Sequence, residues 1–372
     1  MSLFVGAISG TSIDGLDLAL LQVNDDLTIL HTTTVEFPQD LRVDIKALTQ
    51  PGENEIYRMG RAHVGLGRFT AKAILEFLER EAIPPEAITA IGSHGQTIRH
   101  HPESDPPFTL QIGDGSSIAE GTQITTICDF RSRDVAAGGG GAPLVPIFHN
   151  ALFGQSSDST IILNIGGISN ISILPSMSRD TLTGYDTGPG NALLDAWIEE
   201  CKQVPYDIGG LWSQTGEIDR QLLEAFLGHS YFSLEPPKST GKELFNLQFI
   251  REHLSKVPCD IQENIQATLL ELTCQSIVDE VNRYDPDRLI VCGGGRLNPH
   301  LMQRLRGLLH SSCALLTTDD LGIDGDGIEA ATFAYLAYCL TVGRTANVPA
   351  VTGAMGDRLL GCVYPASDVN WT

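Results

Sequence analysis

The chain has 372 residues, 42% of them hydrophobic, and its 24 basic and 46 acidic side chains leave a formal net charge of −22. That length exceeds one comfortable hydrophobic core and suits two domains. The composition is that of an ordinary soluble globular protein, and the charge repels nucleic acid and anionic membrane surfaces alike. A phosphate bound here must therefore be held by backbone amides, a few local cations or a bound metal, for which magnesium is the natural candidate.

The opening residues, MSLFVGAISGTSIDG, are apolar but carry no basic leader, and Asp14 and Asp17 interrupt the stretch, so no signal peptide is expected. No run of about 18 apolar residues suggests a membrane span. The eight cysteines are scattered without a CxxC pair, the pattern of reduced cytoplasmic thiols, and no zinc site is expected.

The first element is a hairpin from Leu3 to Val23, in which LFVGAIS leads into GTSIDG and out through LDLALLQV. A third strand follows near Leu27 to Val35, then helical patterns, the longest from about Asn54 to Ala82. Strands recur at Ala87 to Gly92, Phe108 to Ile112 and Ile124 to Phe130. The glycine run Gly138 to Gly141, followed by PLVPIFHNALF, reads as a crossover into a second lobe. That lobe opens with a second hairpin, Thr160 to Leu174, of the same design: TIILNIG, a turn read as GISN, then ISIL. Helices at about Gly190 to Lys202, Ile218 to Leu227 and Ile261 to Tyr284 alternate with strands at Arg288 to Cys292 and Ala314 to Thr317. The last long helix, Gly327 to Leu340, is apolar over much of its surface and is expected between the lobes or packed back on the first. The expected division is 1–135 plus about 341–372 for one lobe and 136–340 for the other.

Turns of small residues leave their backbone N–H groups uncovered, so two such hairpins suit an oligophosphate. In the first turn, Gly10, Thr11, Ser12, Ile13, Asp14, Gly15, Leu16 and Asp17 are the candidates, with Asp14 able to hold the water shell of Mg²⁺. A plain tight hairpin explains the same segment equally well when taken alone. In the second, the candidates are Asn164, Gly166 and Gly167. No Walker A motif is present, because Lys242 in PPKSTGKE is followed by Glu243. The segment GYDTGPGNALLDAW reads as an extended stretch ending at Asp186, a turn containing Gly188 and Gly190, and a helix from about Asn191. A carboxylate there can act as general base near a transferred phosphoryl group, although Asp before a helix is also a common cap. Asp195, on that helix, reads as an exposed polar residue. The cluster VCGGGRLNP puts Gly293, Gly294 and Gly295 after a buried strand, where an adenosine can lie against backbone. SHGQTIRHHP and DFRSRDVAAGGGGAPLVP offer His94, Gln96, Arg131 and Asp134 to sugar hydroxyls or a carboxylate. Lys238 is a candidate for an anionic group, and Glu329 stands at the start of the last helix, where the dipole favours it.

Two phosphate hairpins, a late GGG and an apolar helix near the end resemble the acetate and sugar kinase, Hsp70 and actin superfamily, an α/β, two-lobed actin-like ATPase (ribonuclease H-like) fold with an interdomain cleft. Within it, SGTSIDGLD, GSHGQT, LQIGDG, DFRSRDVAAGGGGAPLVP, LNIGGISN, YDTGPGN, PPKSTGKE, CGGGRLNP and DGIEA resemble the anhydro-N-acetylmuramic acid kinase family over nearly the whole chain. The resemblance implies ATP and Mg²⁺ as cofactors, with Gly10 to Asp17 on the nucleotide and Asp186 as the base. It implies hydrolytic opening of 1,6-anhydro-N-acetylmuramic acid and phosphorylation of O6, in cell-wall recycling. It also puts Arg131 and Glu329 near the sugar, and implies a cytoplasmic homodimer with a small-molecule substrate and no nucleic-acid or membrane partner. Gly140 and Gly115 depart from the family pattern, which has Gln and Pro there, and Gly140 bears on how the sugar is held. A kinase for a non-anhydro amino sugar is the alternative. A nucleotide-dependent scaffold lacks support, since no peptide-binding domain follows the nucleotide lobes.

Overall fold

The computed structural model describes residues 2–10, 13–154, 157–176, 181–236 and 238–366. It divides into two compact units, Met1–Leu152 with Gly327–Thr372, and Phe153–Asp326. In chain order the first unit begins with β1 (Ser2–Ser9), β2 (Gly15–Val23), β3 (Leu27–Glu36), α1 (Gln39–Leu48), α2 (Glu55–Arg80), β4 (Ile88–His101), β5 (Phe108–Ile112), α3 (Gly115–Thr122), β6 (Thr126–Cys128), α4 (Ser132–Ala136) and α5 (Val145–Phe153). The second unit carries β7 (Thr160–Ile165), β8 (Ile168–Ile173), β9 (Thr183–Pro189), α6 (Ala192–Lys202), α7 (Arg220–Leu227), α8 (Leu247–Leu254), α9 (Gln262–Asn282), β10 (Arg288–Cys292), α10 (Pro299–Leu308) and β11 (Ala314–Thr317). The chain then returns to the first unit with α11 (Ile328–Thr341), α12 (Pro349–Thr352) and β12 (Cys362–Tyr364). Among the described residues no helix is long and apolar enough to cross a membrane.

Both units are built on one strand plan. In the first, the sheet runs β12-β6-β4-β1-β2-β3, with β5 paired to β4. The opening meander β1-β2-β3 is antiparallel, while β4 is parallel to both β1 and β6. The second sheet runs β11-β10-β7-β8-β9, again an antiparallel meander joined to parallel strands. In each sheet the first strand of the meander is also the one that pairs in parallel with the next strand, β4 in the first unit and β10 in the second. Local chemistry explains the pattern. β1 is buried along nearly its whole length, as a central strand must be. β3, at the edge, has only half-buried and exposed positions and is rich in Thr.

The division differs from the expected one, because residues 136–152 and α11 belong to the first unit. The reason lies in two glycines. A Cβ on Gly6 of β1 would stand 1.8 Å from the Ala330 carbonyl oxygen, and one on Gly92 of β4 would stand 2.0 Å from that of Phe333. The sheet is flat and bare there, so α11, apolar on every side, lies directly on it. On the opposite side α2 supplies Leu66, Ile74 and Phe77 to the core. In the second unit α9 is buried almost throughout and forms the spine of the core.

Strand extents also differ. β4 continues through SHGQTIRHH to His101, so the residues read as a polar cluster are a strand. The second turn is only Gly166 and Gly167, with Ser169 and Asn170 already in β8. Gly6→Ala is expected to remove about 3 kcal/mol or more, the upper end of overpacking costs, and a lowered urea midpoint would show it.

Candidate active site

Asp186 lies inside β9, which runs on to Pro189, so it does not end the extended segment and does not cap α6. The register of β8 and β9 slips between Ser169 and Asn170, so that Ser169 pairs with Gly188, Asn170 with Asp186, and Thr187 bulges out. Gly188 takes φ +153°, and a Cβ there would meet Phe232 at 3.0 Å. A bulge next to a carboxylate re-aims it away from the regular pleat. The loop after Leu234 then takes hold of Asp186. Its Oδ2 accepts from the Thr240 amide at 2.9 Å and the Ser239 hydroxyl at 3.0 Å, while its carbonyl accepts from the Tyr231 hydroxyl at 2.8 Å. Oδ1 takes no hydrogen bond from a described residue. Burial raises the pKa of Asp186, the bonds from Thr240 and Ser239 lower it, and Glu243 raises it again. The Thr240 hydroxyl is itself buried without a partner among the described residues.

Lys238, read from sequence as a cation for substrate, does other work. Its ammonium is buried 2.7 Å from Glu280 and lies 5.1 Å above the Tyr231 ring. Glu280 also accepts from the Tyr185 hydroxyl at 2.9 Å and pairs with Arg283 at 3.1 Å. The ion pair pins the loop that carries Ser239 and Thr240, residues that sequence reasoning passed over although they stand beside Lys238 in PPKSTGKE.

The second hairpin turn is latched to the start of α6. The amides of Gly190 and Ala192 donate to the Gly167 carbonyl, and that of Asn191 donates to Gly166. These helix-end amides are therefore not exposed, contrary to expectation. Gly190 is needed because a Cβ would stand 2.3 Å from the Gly166 oxygen. In the third glycine cluster the roles divide. A Cβ on Gly293, at φ +76°, would stand 2.3 Å from Asn164 and one on Gly295 2.3 Å from Ile165, while Gly294 faces open space. Gly294 and Leu297 line a recess of about 300 Å³ with Asn191, Leu194 and Asp195 of α6 and with Tyr206 and Asp207. Asp195, expected to be simply exposed, is pushed up to about 6 by burial first, with Lys242 lowering it and Asp207 and Glu199 raising it. Arg296, itself buried, braces this wall by pairing with Asp319, Asp324 and Asp326.

In the first unit, Thr11 and Ser12 lie outside the described residues. Ile13 (φ 56°) and Leu16 are core residues that offer a ligand only backbone. Gly10 faces open space, whereas a Cβ on Gly15 would stand 2.8 Å from the Val35 oxygen. Asp14 pairs with Arg42 at 2.6 Å, and Asp17, in β2, accepts from Thr34 at 2.6 Å. Gln96 accepts from the Ser9 hydroxyl at 2.5 Å, tying β4 to the end of β1. Arg131 donates Nε to His94 Nε2 and Nη1 to the Gly141 carbonyl, both at 2.8 Å, while His94 Nδ1 faces the Gly95 oxygen at 3.0 Å. An imidazole that accepts at Nε2 is neutral with its proton on Nδ1. Burial and then Arg131 hold the His94 pKa well below its usual value. Burial lowers that of Arg131 to about 10 and Glu329 opposes it. Glu329 keeps an exposed surface amid dense protein, and desolvation raises its pKa first, then Asp17, with Arg131 pulling down. Both oxygens of Asp134 are engaged internally, by the Gly141 amide on one side and by Asn347 and Thr352 on the other, so Asp134 shapes the Gly138–Gly141 turn.

The recess fits a nucleoside in size and lining, since small-molecule pockets begin at roughly 300 Å³, and Gly294 leaves its floor bare. For magnesium, no group of three His, Cys, Asp or Glu gathers among the described residues. Mg²⁺ is usually held by one or two carboxylates together with phosphates, so Asp14, exposed although paired with Arg42, remains a suitable outer ligand. Lys238→Met should cost about 3 kcal/mol, the lower end for breaking a buried ion pair, because Glu280 keeps Arg283 and the Tyr185 hydroxyl. Urea unfolding reads this loss, whereas a substrate contact would change only KM.

The family model for anhydro-N-acetylmuramic acid kinase matches residues 2–366. A Pseudomonas putida relative named anhydro-N-acetylmuramic acid kinase is 46% identical over 368 residues, covering 98% of this chain and 100% of that one. Relatives of the same name from Pasteurella multocida and Shewanella pealeana are each 45% identical, the first covering 97% of this chain and 96% of its own, the second 98% of both. The chain belongs to the anhydro-N-acetylmuramic acid kinase family.

Proposed function

We propose that this chain opens the 1,6-anhydro ring of anhydro-N-acetylmuramic acid with water and phosphorylates O6, with Asp186 as the general base. The observation that carries this is the half-held carboxylate. Oδ2 is fixed by Ser239 and Thr240, Oδ1 is left to take a proton, and burial makes the group more basic than an exposed aspartate. Asp186 takes the proton of a water that attacks C1, the C1–O6 bond breaks, and O6 becomes the phosphoryl acceptor. ATP, when bound, supplies the γ-phosphoryl group, and Mg²⁺ neutralises charge on its phosphates. Positioning supplies much of the catalysis, because ring cleavage releases the acceptor oxygen where it is needed.

The chain's own groups divide the remaining work. Gly10 to Asp17, including Thr11 and Ser12, and the turn at Gly166 and Gly167 are assigned to the phosphates, with Asp14 toward Mg²⁺ through water. The recess at Gly294 takes the nucleoside. Arg131, oriented by His94, and Glu329 are assigned to the sugar and its lactyl carboxylate, with Gln96 and Asp134 holding their surroundings and Gly140 a nearby departure from the family pattern. The protein is proposed to act in the cytoplasm in cell-wall recycling, and as a homodimer, which sedimentation at micromolar concentration tests.

Turnover in ¹⁸O water should place solvent oxygen on C1 of the product. A kinase for an already open amino sugar would leave C1 unlabelled, and that result would end the proposal. Asp186→Asn should lower turnover at least about 10²–10⁴-fold, the usual weight of a general base, with ATP affinity nearly unchanged. For wild type, kcat/KM should fall as pH drops through the raised pKa of Asp186, because only the carboxylate can accept the proton. A folded pKa above the unfolded one means that ionising Asp186 opposes folding. The penalty is absent below the unfolded pKa and complete above the folded one. Asp186→Asn should therefore be at least as stable as wild type at neutral pH, measured by urea unfolding.

A further inference from the structure

The sequence offers two lysines in PPKSTGKE, and the first is sealed in its pair with Glu280. The second, Lys242, is exposed and forms no ion pair with a described carboxylate. Its aliphatic end lies on the second hairpin turn. Where Gly167 lacks a Cβ, Lys242 Cε stands 2.7 Å and Nζ 3.5 Å from the position that atom would occupy. The lysine is delivered there by a pinned loop, since the Lys242 carbonyl accepts from Asn246 Nδ2 at 3.1 Å and the Gly241 carbonyl accepts from Leu244 and Phe245 at 3.1 Å. The turn beneath it is equally fixed, with the Gly166 and Gly167 carbonyls turned toward the start of α6. Nearby charge is otherwise negative, from Asp195 and Asp207 in the recess.

We propose that Lys242 is the cation that binds the nucleotide's phosphate chain at the Gly166–Gly167 turn, with Gly167 bare so that the ammonium can rest against the backbone. The inference rests on the kinase function proposed above and names a residue for it. A chain of net charge −22 has no general basic field to offer a polyphosphate, so a single placed ammonium carries disproportionate weight, acting as a point charge. The aliphatic end lying on glycine, rather than extended into solvent, is what distinguishes it from an ordinary surface lysine.

Titration calorimetry of the full chain with Mg-ATP and with adenosine, for wild type, Lys242→Ala and Lys242→Arg, tests this. Lys242→Ala should weaken Mg-ATP about tenfold or more, as loss of a charge-assisted contact does, and should leave adenosine unchanged. Lys242→Arg should recover most of the loss, and the salt dependence of ATP binding should be shallower in Lys242→Ala. An ATP affinity within about twofold of wild type would overturn the proposal, and so would equal losses for ATP and adenosine, which mark a structural role. If wild type itself bound neither ligand, the kinase function would fall with it; wild-type binding that ignores Lys242 overturns this assignment alone.

Discussion

One buried ion pair, Lys238 with Glu280, sets the geometry on which the second unit's chemistry depends. Both side chains are almost wholly removed from water, and such a pair carries a desolvation penalty that its own attraction offsets only with further hydrogen bonds. Those bonds are present: Glu280 also takes the Tyr185 hydroxyl and Arg283. The pair fixes the loop backbone, since the Lys238 carbonyl accepts from the Asp186 amide at 3.0 Å. From that point Ser239 and Thr240 reach the carboxylate, and Lys242 reaches Gly167. A hydrophobic pair of equal volume would hold the loop more cheaply but would leave its register free to slip. An ion pair with specific partners on α9 allows one register.

Glycine meets two different environments in this molecule. Gly6, Gly92, Gly190, Gly293 and Gly295 are each required by protein packed against them, so a methyl group would collide with backbone or side chain. Gly10 and Gly294 meet nothing, and their bareness has no internal purpose. Close packing of the first kind makes the turns rigid. Rigid turns can present their remaining amides without reorganising, which is where electrostatic preorganisation comes from.

Much of this was legible in the chain, and the misses share one physical cause. The two hairpins and the strand before the GGG cluster are local patterns, in which small residues follow an apolar strand, and the structure has them as β1–β2, β7–β8 and β10. The extent of β4 was missed because His, Gln, Thr and Arg crowd its second half and mask the strand pattern, although β5, which pairs with that half, is the next strand in the chain. Asp195 seemed ordinary because Gly294, Leu297 and Asn298, which line the recess with it, lie far along the chain. The two lysines of PPKSTGKE are indistinguishable without knowing that Glu280 waits for one and Gly167 for the other. The unit boundary failed for a related reason: that α11 packs on the first sheet depends on Gly6 and Gly92, more than 200 residues upstream. Local composition reports turn chemistry well, but it carries no account of which partner a charge or a helix face will find.

The environment of Asp186 sets burial against two hydrogen bonds to its carboxyl group. Burial raises its pKa and so favours the protonated form, which cannot accept a proton. Several more donors would drive the pKa down and leave a carboxylate too weak to take a proton from water. Thr240 and Ser239 both act on the same oxygen, which checks the effect of burial without occupying the other. Glu243, one residue beyond Lys242, pushes in the opposite direction through space. The loop that Lys238 anchors therefore acts on the Asp186 carboxyl group in both directions, with Thr240 and Ser239 lowering its pKa and Glu243 raising it.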